Sequence, residues 1–282
     1  MTSSIRKVNT PSKCGSVVAF GSLLLLVSGC FSEPASNPAA LDAASRITRL
    51  SPESAAVLVK TVKDAHDGAY VLQLDGLTTL SRASATVLAT LPENSNLCLT
   101  SISALPLDVA EALATARCSY LSLNRLAELP DDLAAVLAGY RASPNYGGSL
   151  HLNGVKKVSR EGLASLARSK VTGLSLNGLE SLSVEEAQAL AEFQGRVLWL
   201  RGLRAASPEV AKALAGFRGE WLELSGLEQL SHESAKSLAA FPGDTLCLEG
   251  LRNPSDDVLQ ELRAVPRLML LLPEPASEPT VE

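Results

Sequence analysis

From residue 174 onward the chain repeats itself at a fixed interval. The segment Leu174-Ser-Leu176-Asn-Gly178-Leu179-Glu-Ser-Leu182-Ser183-Val-Glu185-Glu186-Ala187 restarts at Leu198, Leu222 and Leu246, every 24 residues, with Gly202, Gly226 and Gly250 at the matching turn. Looser copies begin at Leu72, Leu97, Leu121 and Leu150, and a stub begins at Leu268. A period of this length specifies a solenoid, in which each coil packs mainly on its neighbours, and not a domain closed around one core. Any function then lies on a surface and not in a deep pocket.

Each coil opens with Leu-x-Leu, an alternation of period two that predicts a short strand with both leucines facing the core. The next feature, x-Gly-Leu, predicts a sharp turn at the glycine and a return of the leucine to the core. A serine then precedes a helix: Ser51, Ser159, Ser183, Ser207, Ser231 and Ser255 stand two residues before an acid. The hydroxyl suits a free amide of the first turn, and the acid suits the helix dipole. Ser183 with Glu186 can close a capping box, and Pro52 and Pro208 stand where a missing N–H is harmless. Ala187, Leu190, Ala191 and Phe193 mark the apolar side of one helix. Gly195, Gly219 and Gly243 follow the helices as expected C-terminal stops. Helices this short are not stable alone, so the array must be cooperative.

These motifs resemble a leucine-rich-repeat array over roughly residues 47–272. The resemblance implies an α/β solenoid of about nine repeats, with parallel strands on one face and helices on the other. The familiar pattern has an asparagine where this chain has Leu77, Leu126, Leu179, Leu203, Leu227 and Leu251. The expectation is therefore an array without an asparagine ladder, in which the familiar curvature does not carry over. Ile47 to Ala65 reads as an N-terminal half repeat. Leu268 to Leu272, between Pro266 and Pro273, reads as a last strand whose exposed edge could support a homodimer.

Arg6, Lys7 and Lys13 precede an apolar run from Val17 to Ser28, too short to span a bilayer comfortably. The run ends in Leu26-Val27-Ser28-Gly29-Cys30, which resembles the lipobox of bacterial lipoprotein precursors. That resemblance implies cleavage before Cys30, a diacylglycerol and further acyl chains such as palmitate on the new N-terminus, and a place in the bacterial cell envelope. Phe31 after the cysteine points to the outer membrane. Several acyl chains hold a protein on a membrane stably. The expected organisation is a signal peptide at 1–29, a lipidated tether at 30–45 rich in Pro, Ser and Ala, the solenoid at 46–272, and a disordered tail at 273–282.

Without the three basic residues of the signal, 22 basic residues face 30 acidic ones, a net charge of −8. This balance argues against nucleic acid, whose binding depends on phosphate neutralisation. Cys98 and Cys247 share a coil position six repeats apart, on the order of 29 Å, far beyond disulfide reach. Neither cysteine spacing nor His66, His151 and His232 suggests a metal site, and no cofactor motif appears. Cys98, His151 and Asp75 share the strand face, but successive coils separate them, so catalysis is not expected.

The solvent side of the strands is the expected binding face. Its middle position runs through Cys98, Ser122, His151, Ser175, Trp199, Glu223, Cys247 and Met269. Both tryptophans of the chain lie on adjacent coils there, Trp199 and Trp221, beside Val197, Arg201 and Glu223. Aromatics with an arginine make good interface anchors. Asn124, Asn153 and Asn177 form a polar stripe next to His151, suited to sugars or peptides. The extra residues between Leu121 and Leu150, Gly139 to Ser149, add Tyr140, Arg141 and Tyr146 at one rim. Three readings follow: a membrane-anchored interaction module for another envelope or extracellular protein, a carbohydrate or cell-wall binder, and, least favoured, a hydrolase with a shallow site.

Overall fold

Ten strands and nine helices alternate along the described residues of the computed structural model, which are 5–7, 48–64, 70–265 and 269–272. Cys30, His66, Leu268, the segment 8–47 and the tail 273–282 lie outside them, and with them most of the expected signal, lipid anchor and tether. The strands are β1 (Ile5–Lys7), β2 (Tyr70–Gln73), β3 (Ser95–Cys98), β4 (Tyr120–Ser122), β5 (Ser149–His151), β6 (Gly173–Ser175), β7 (Val197–Trp199), β8 (Trp221–Glu223), β9 (Thr245–Cys247) and β10 (Met269–Leu271). The helices are α1 (Pro52–Asp64), α2 (Arg82–Leu88), α3 (Leu107–Ala114), α4 (Asp131–Ala138), α5 (Arg160–Ala167), α6 (Val184–Ala191), α7 (Pro208–Leu214), α8 (His232–Ala239) and α9 (Asp256–Arg263).

β2 to β10 form one parallel sheet in chain order, each paired with the next, and β1 lies antiparallel on the outer edge of β2. Every helix packs on the helix of the next coil. This is a leucine-rich-repeat solenoid of the α/β type. The register joins Leu72, Leu97, Leu121, Leu150, Leu174, Leu198, Leu222, Leu246 and Leu270 across the sheet. The stub therefore starts at Leu270 and not at Leu268. Leu271 takes the middle position opposite Cys247, and Met269 stands one place earlier, opposite Thr245.

Five of the six expected serine caps form, and Ser81, which no acid follows, adds another. Ser51, Ser81, Ser159, Ser183, Ser207 and Ser231 each accept a first-turn N–H, and Ser183 and Glu186 close the capping box at 3.2 and 2.7 Å. Ser255 makes no such bond, and Pro106 and Pro130 stand at the cap positions of α3 and α4.

Two columns of glycine serve clearance and not backbone conformation. Gly195, Gly219 and Gly243 do not end the helices. The C-caps are Glu192, Ala215 and Ala240, all right-handed, and Gly147 is the one described glycine with positive φ. A Cβ on these glycines would lie 2.1–2.3 Å from the tips of Phe193, Phe217 and Phe241. The second column is the turn glycine. A Cβ on Gly178, Gly202, Gly226 or Gly250 would lie 1.9–2.4 Å from a carbonyl oxygen of the preceding coil. Both columns let one coil settle onto the last.

The three phenylalanines stack with ring centroids 6.0 and 6.1 Å apart and planes 11° and 12° from parallel. The same slot, nineteen residues after the first strand leucine, holds Leu91, Ala116, Tyr140 and Ser169 in earlier coils. Tyr140 is fully buried between the two small members, and its hydroxyl donates to the Cys118 carbonyl. The first residues of the insertion thus anchor it in the core. Its outer part carries Tyr146, 58 % exposed, and reaches back along the rim, where Asn145 donates to Glu93 at 2.7 Å.

An asparagine ladder does exist, in a different register from the familiar one. The Asn124 side chain accepts the Asn153 N–H at 3.3 Å, Asn153 accepts the Asn177 N–H at 3.1 Å, and Asn177 accepts the Arg201 N–H at 2.9 Å. These bonds tie successive coils where the strands end, which satisfies backbone amides the turn would otherwise leave open.

Candidate interaction surface

The outward side of the sheet is far less open than alternation alone implies. Cys98, Ser122, Ser175, Val197, Trp199, Glu223 and Cys247 are all buried, with Trp199 at 9 % exposure and Glu223 at 2 %. Side chains on strands about 4.8 Å apart shield one another. The expectation of a freely exposed Val197–Trp199–Trp221 patch is corrected on this point: of these three, Trp221 alone keeps a partly open face.

Trp199 is buried because it leans across the neighbouring strand. β6 offers only Gly173 and Ser175 there, and a Cβ on Gly173 would lie 2.5 Å from the Trp199 ring. The indole crosses this gap and meets His151 of β5 at 5.3 Å between centroids. His151 in turn lies 4.1 Å from Tyr120 of β4. The result is a continuous row, Tyr120–His151–Trp199, running away from Trp221. One edge of His151 remains accessible, yet enclosure between the two rings, then the Arg201 charge, pushes its imidazolium down to about 3.

The histidine is therefore neutral in the fold near physiological pH. Between about pH 3 and 6.5 the unfolded chain binds the extra proton, so acidification through this window costs stability, up to roughly 1.4 kcal/mol per pH unit. In urea titrations between about pH 6.5 and 5, His151→Gln is expected to show a shallower loss of stability than the parent chain. Equal slopes would mean that the folded imidazole carries its proton.

On the other side of Trp199 a second cluster gathers around Glu223. Its buried carboxylate accepts the Trp221 indole N–H at 3.3 Å and lies 3.5 Å from the Arg201 guanidinium. Burial and this carboxylate, to which the thiol is hydrogen-bonded, push the Cys247 thiol up, which keeps it protonated. A buried charge is tolerated only when donors surround it, and here three donors from three coils do so. Arg201 itself is held twice: its backbone N–H by Asn177 and its side chain by Glu223, with 45 % of that side chain still exposed.

Asn124, Asn153 and Asn177 fall in one line, but their carbonyl oxygens serve the neighbouring coils. Asn153 also accepts the Ser175 hydroxyl at 2.6 Å. Cys98, His151 and Asp75 are not brought together: β4 separates the first two, and Asp75 accepts the Thr100 hydroxyl at 2.5 Å. His232 lies on α8 beside Asp257 and Glu261 of α9, at 3.4 and 3.6 Å. Among the described residues no group of three His, Cys, Asp or Glu side chains could hold a metal ion. No described helix is long and apolar enough to cross a membrane.

No protein-family model matches the chain, and no curated protein matches it by sequence. Among solved structures, the chain is similar to an internalin (inlF) from Listeria monocytogenes, at 13 % sequence identity and a TM-score of 0.41. The match covers 79 % of this chain and 64 % of the internalin chain, so this chain spans less than two thirds of that protein's length.

Proposed function

We propose that the chain is a protein-interaction module, lipid-anchored through Cys30 in a bacterial envelope, that meets its partner around Trp221 and Arg201. The observation that carries this reading is the grip of the buried Glu223 carboxylate on both residues. A half-open indole and a half-open guanidinium fixed from behind lose little freedom on binding, the property of interface hot spots. Arginine keeps unused donors for a backbone carbonyl or a carboxylate of the partner. The carbohydrate reading draws on the uncharged Tyr120–His151–Trp199 row. It is less well supported, because the Trp199 ring is buried and the Asn153 and Asn177 oxygens are already engaged.

The anchor also bears on the sheet. Cleavage before Cys30 removes β1 and leaves the outer edge of β2 open. Trp199 is unsuitable for a binding test, since its loss empties a packed slot. Trp221→Ala with Arg201→Gln retains a donor for Glu223 and opens the contact. The doubly substituted chain is expected to melt below the parent, because Glu223 loses the indole N–H and the guanidinium, yet to remain folded by far-UV circular dichroism at the growth temperature and to lose its protein partners in cross-linking of intact cells. Recovery of the same partners would refute the patch. In the same cells Cys30→Ser should move the protein out of the membrane fraction, and unchanged membrane association would refute the anchor.

A further inference from the structure

We propose that the carboxyl-terminal end of the solenoid is a twofold interface with a second copy of this chain. Everywhere else the strand leucines are sealed: Leu246 and Leu248 of the penultimate coil are 0 % exposed. In the last coil Leu270, Leu271 and Leu272 are partly open and Met269 is 62 % exposed. No described residue pairs with the outer edge of β10. Such an edge is a template for another strand.

The hydrogen-bond parity of β10 selects how that strand adds. Met269 donates to Asp244 and Leu271 accepts from Leu248, both at 2.7 Å, so these two residues spend their backbone groups on the β9 side. The intervening Leu270 therefore turns its N–H and C=O outward. An antiparallel partner centred on Leu270 forms a hydrogen-bonded pair with itself, in which each Leu270 donates to and accepts from the partner's Leu270. Met269 then lies opposite the partner's Leu271, with no charge anywhere on the strand.

The helix beside the strand has the same self-complementarity. Asp257 and Glu261 of α9 turn toward His232 of α8. The opposite flank carries Asp256, Leu259 and Arg263 at helical spacing, and neither Asp256 nor Arg263 has an ion-pair partner among the described residues. The twofold axis that pairs β10 sets α9 antiparallel to its copy. Asp256 then meets the partner's Arg263, Leu259 meets the partner's Leu259, and the helix dipoles oppose favourably. One strand and one helix make a small face, below the roughly 1,200 Å² of a standard interface. The dimer is accordingly reversible.

Sedimentation velocity of the full chain in detergent tests this, with far-UV circular dichroism melts as the control for folding. The parent chain is expected to show a concentration-dependent monomer–dimer equilibrium. Asp256→Arg or Arg263→Asp alone places like charges together twice and should weaken it at least about fivefold, while the double reversal restores it. Leu270→Pro removes the outward N–H, leaves the bonds to β9 in place, and should abolish the dimer. A chain that stays monomeric at every concentration overturns the proposal. So does a dimer indifferent to the single reversals, or one that the double reversal fails to restore. If Leu270→Pro does not fold, the charge-reversal series decides alone.

Discussion

Phe217→Ala is expected to lower the free energy of unfolding by about 3–5 kcal/mol. Phe217 is the middle ring of the stack, 0 % exposed, with Phe193 on one side and Phe241 on the other. Its removal takes away aromatic contacts on both sides, which add about 0.5–1.5 kcal/mol per pair beyond the buried area. Refilling is restricted: backbone at Gly219 closes the tip of the slot, where an added Cβ would lie 2.1 Å from the ring, and the Phe193 and Phe241 rings on either side are themselves 1 % and 0 % exposed. Chemical denaturation of the variant checks this. A loss below about 1 kcal/mol would mean that neighbouring coils collapse into the space. Because coils support one another, the loss should appear as one cooperative transition at lower denaturant.

Gly226→Ala should cost about 3 kcal/mol, through crowding and not through a cavity. The added methyl lies 2.0 Å from the Arg201 carbonyl oxygen and 2.8 Å from that of Leu203. Both are backbone atoms of the preceding turn, so no rotamer change relieves the contact. The two coils must part where Arg201 is held by Asn177. Gly216→Ala is the matched control: its nearest neighbour is 3.0 Å away, on its own helix turn, and the next is the Ala191 side chain at 3.7 Å. Melting temperatures of the two variants measure the difference, and equal melting would refute the argument from coil clearance.

The repeat was legible because a parallel sheet with one strand per coil turns a 24-residue interval directly into register. Most caps were legible because Ser followed by an acid is a local signal, although Ser81 caps without the acid and Ser255 has the acid without the bond. The glycine columns were half legible. Their spacing shows that glycine is needed, but not whether for a turn or for room, and in both columns the answer was room. The Phe193–Phe217–Phe241 stack left a signal in its 24-residue spacing that a reading of single helices passes over. The asparagine ladder was missed because the familiar slot holds leucine, while Asn124, Asn153 and Asn177 do the same work at the strand ends. Alternation placed Trp199 on the outward face correctly. Its burial depends on Gly173 of the preceding coil, and the hold of Glu223 on Trp221 and Arg201 depends on side-chain lengths that periodicity does not encode.

The slot that holds Leu91, Ala116, Tyr140, Ser169, Phe193, Phe217 and Phe241 also limits how such a chain can change length. Where three like rings follow one another, removal of the middle coil brings Phe193 against Phe241 and leaves the column continuous. Where Tyr140 stands between Ala116 and Ser169, the same excision sets two small residues together over an empty space. Duplication or loss of coils is therefore open to the array at its phenylalanine end and closed at the tyrosine.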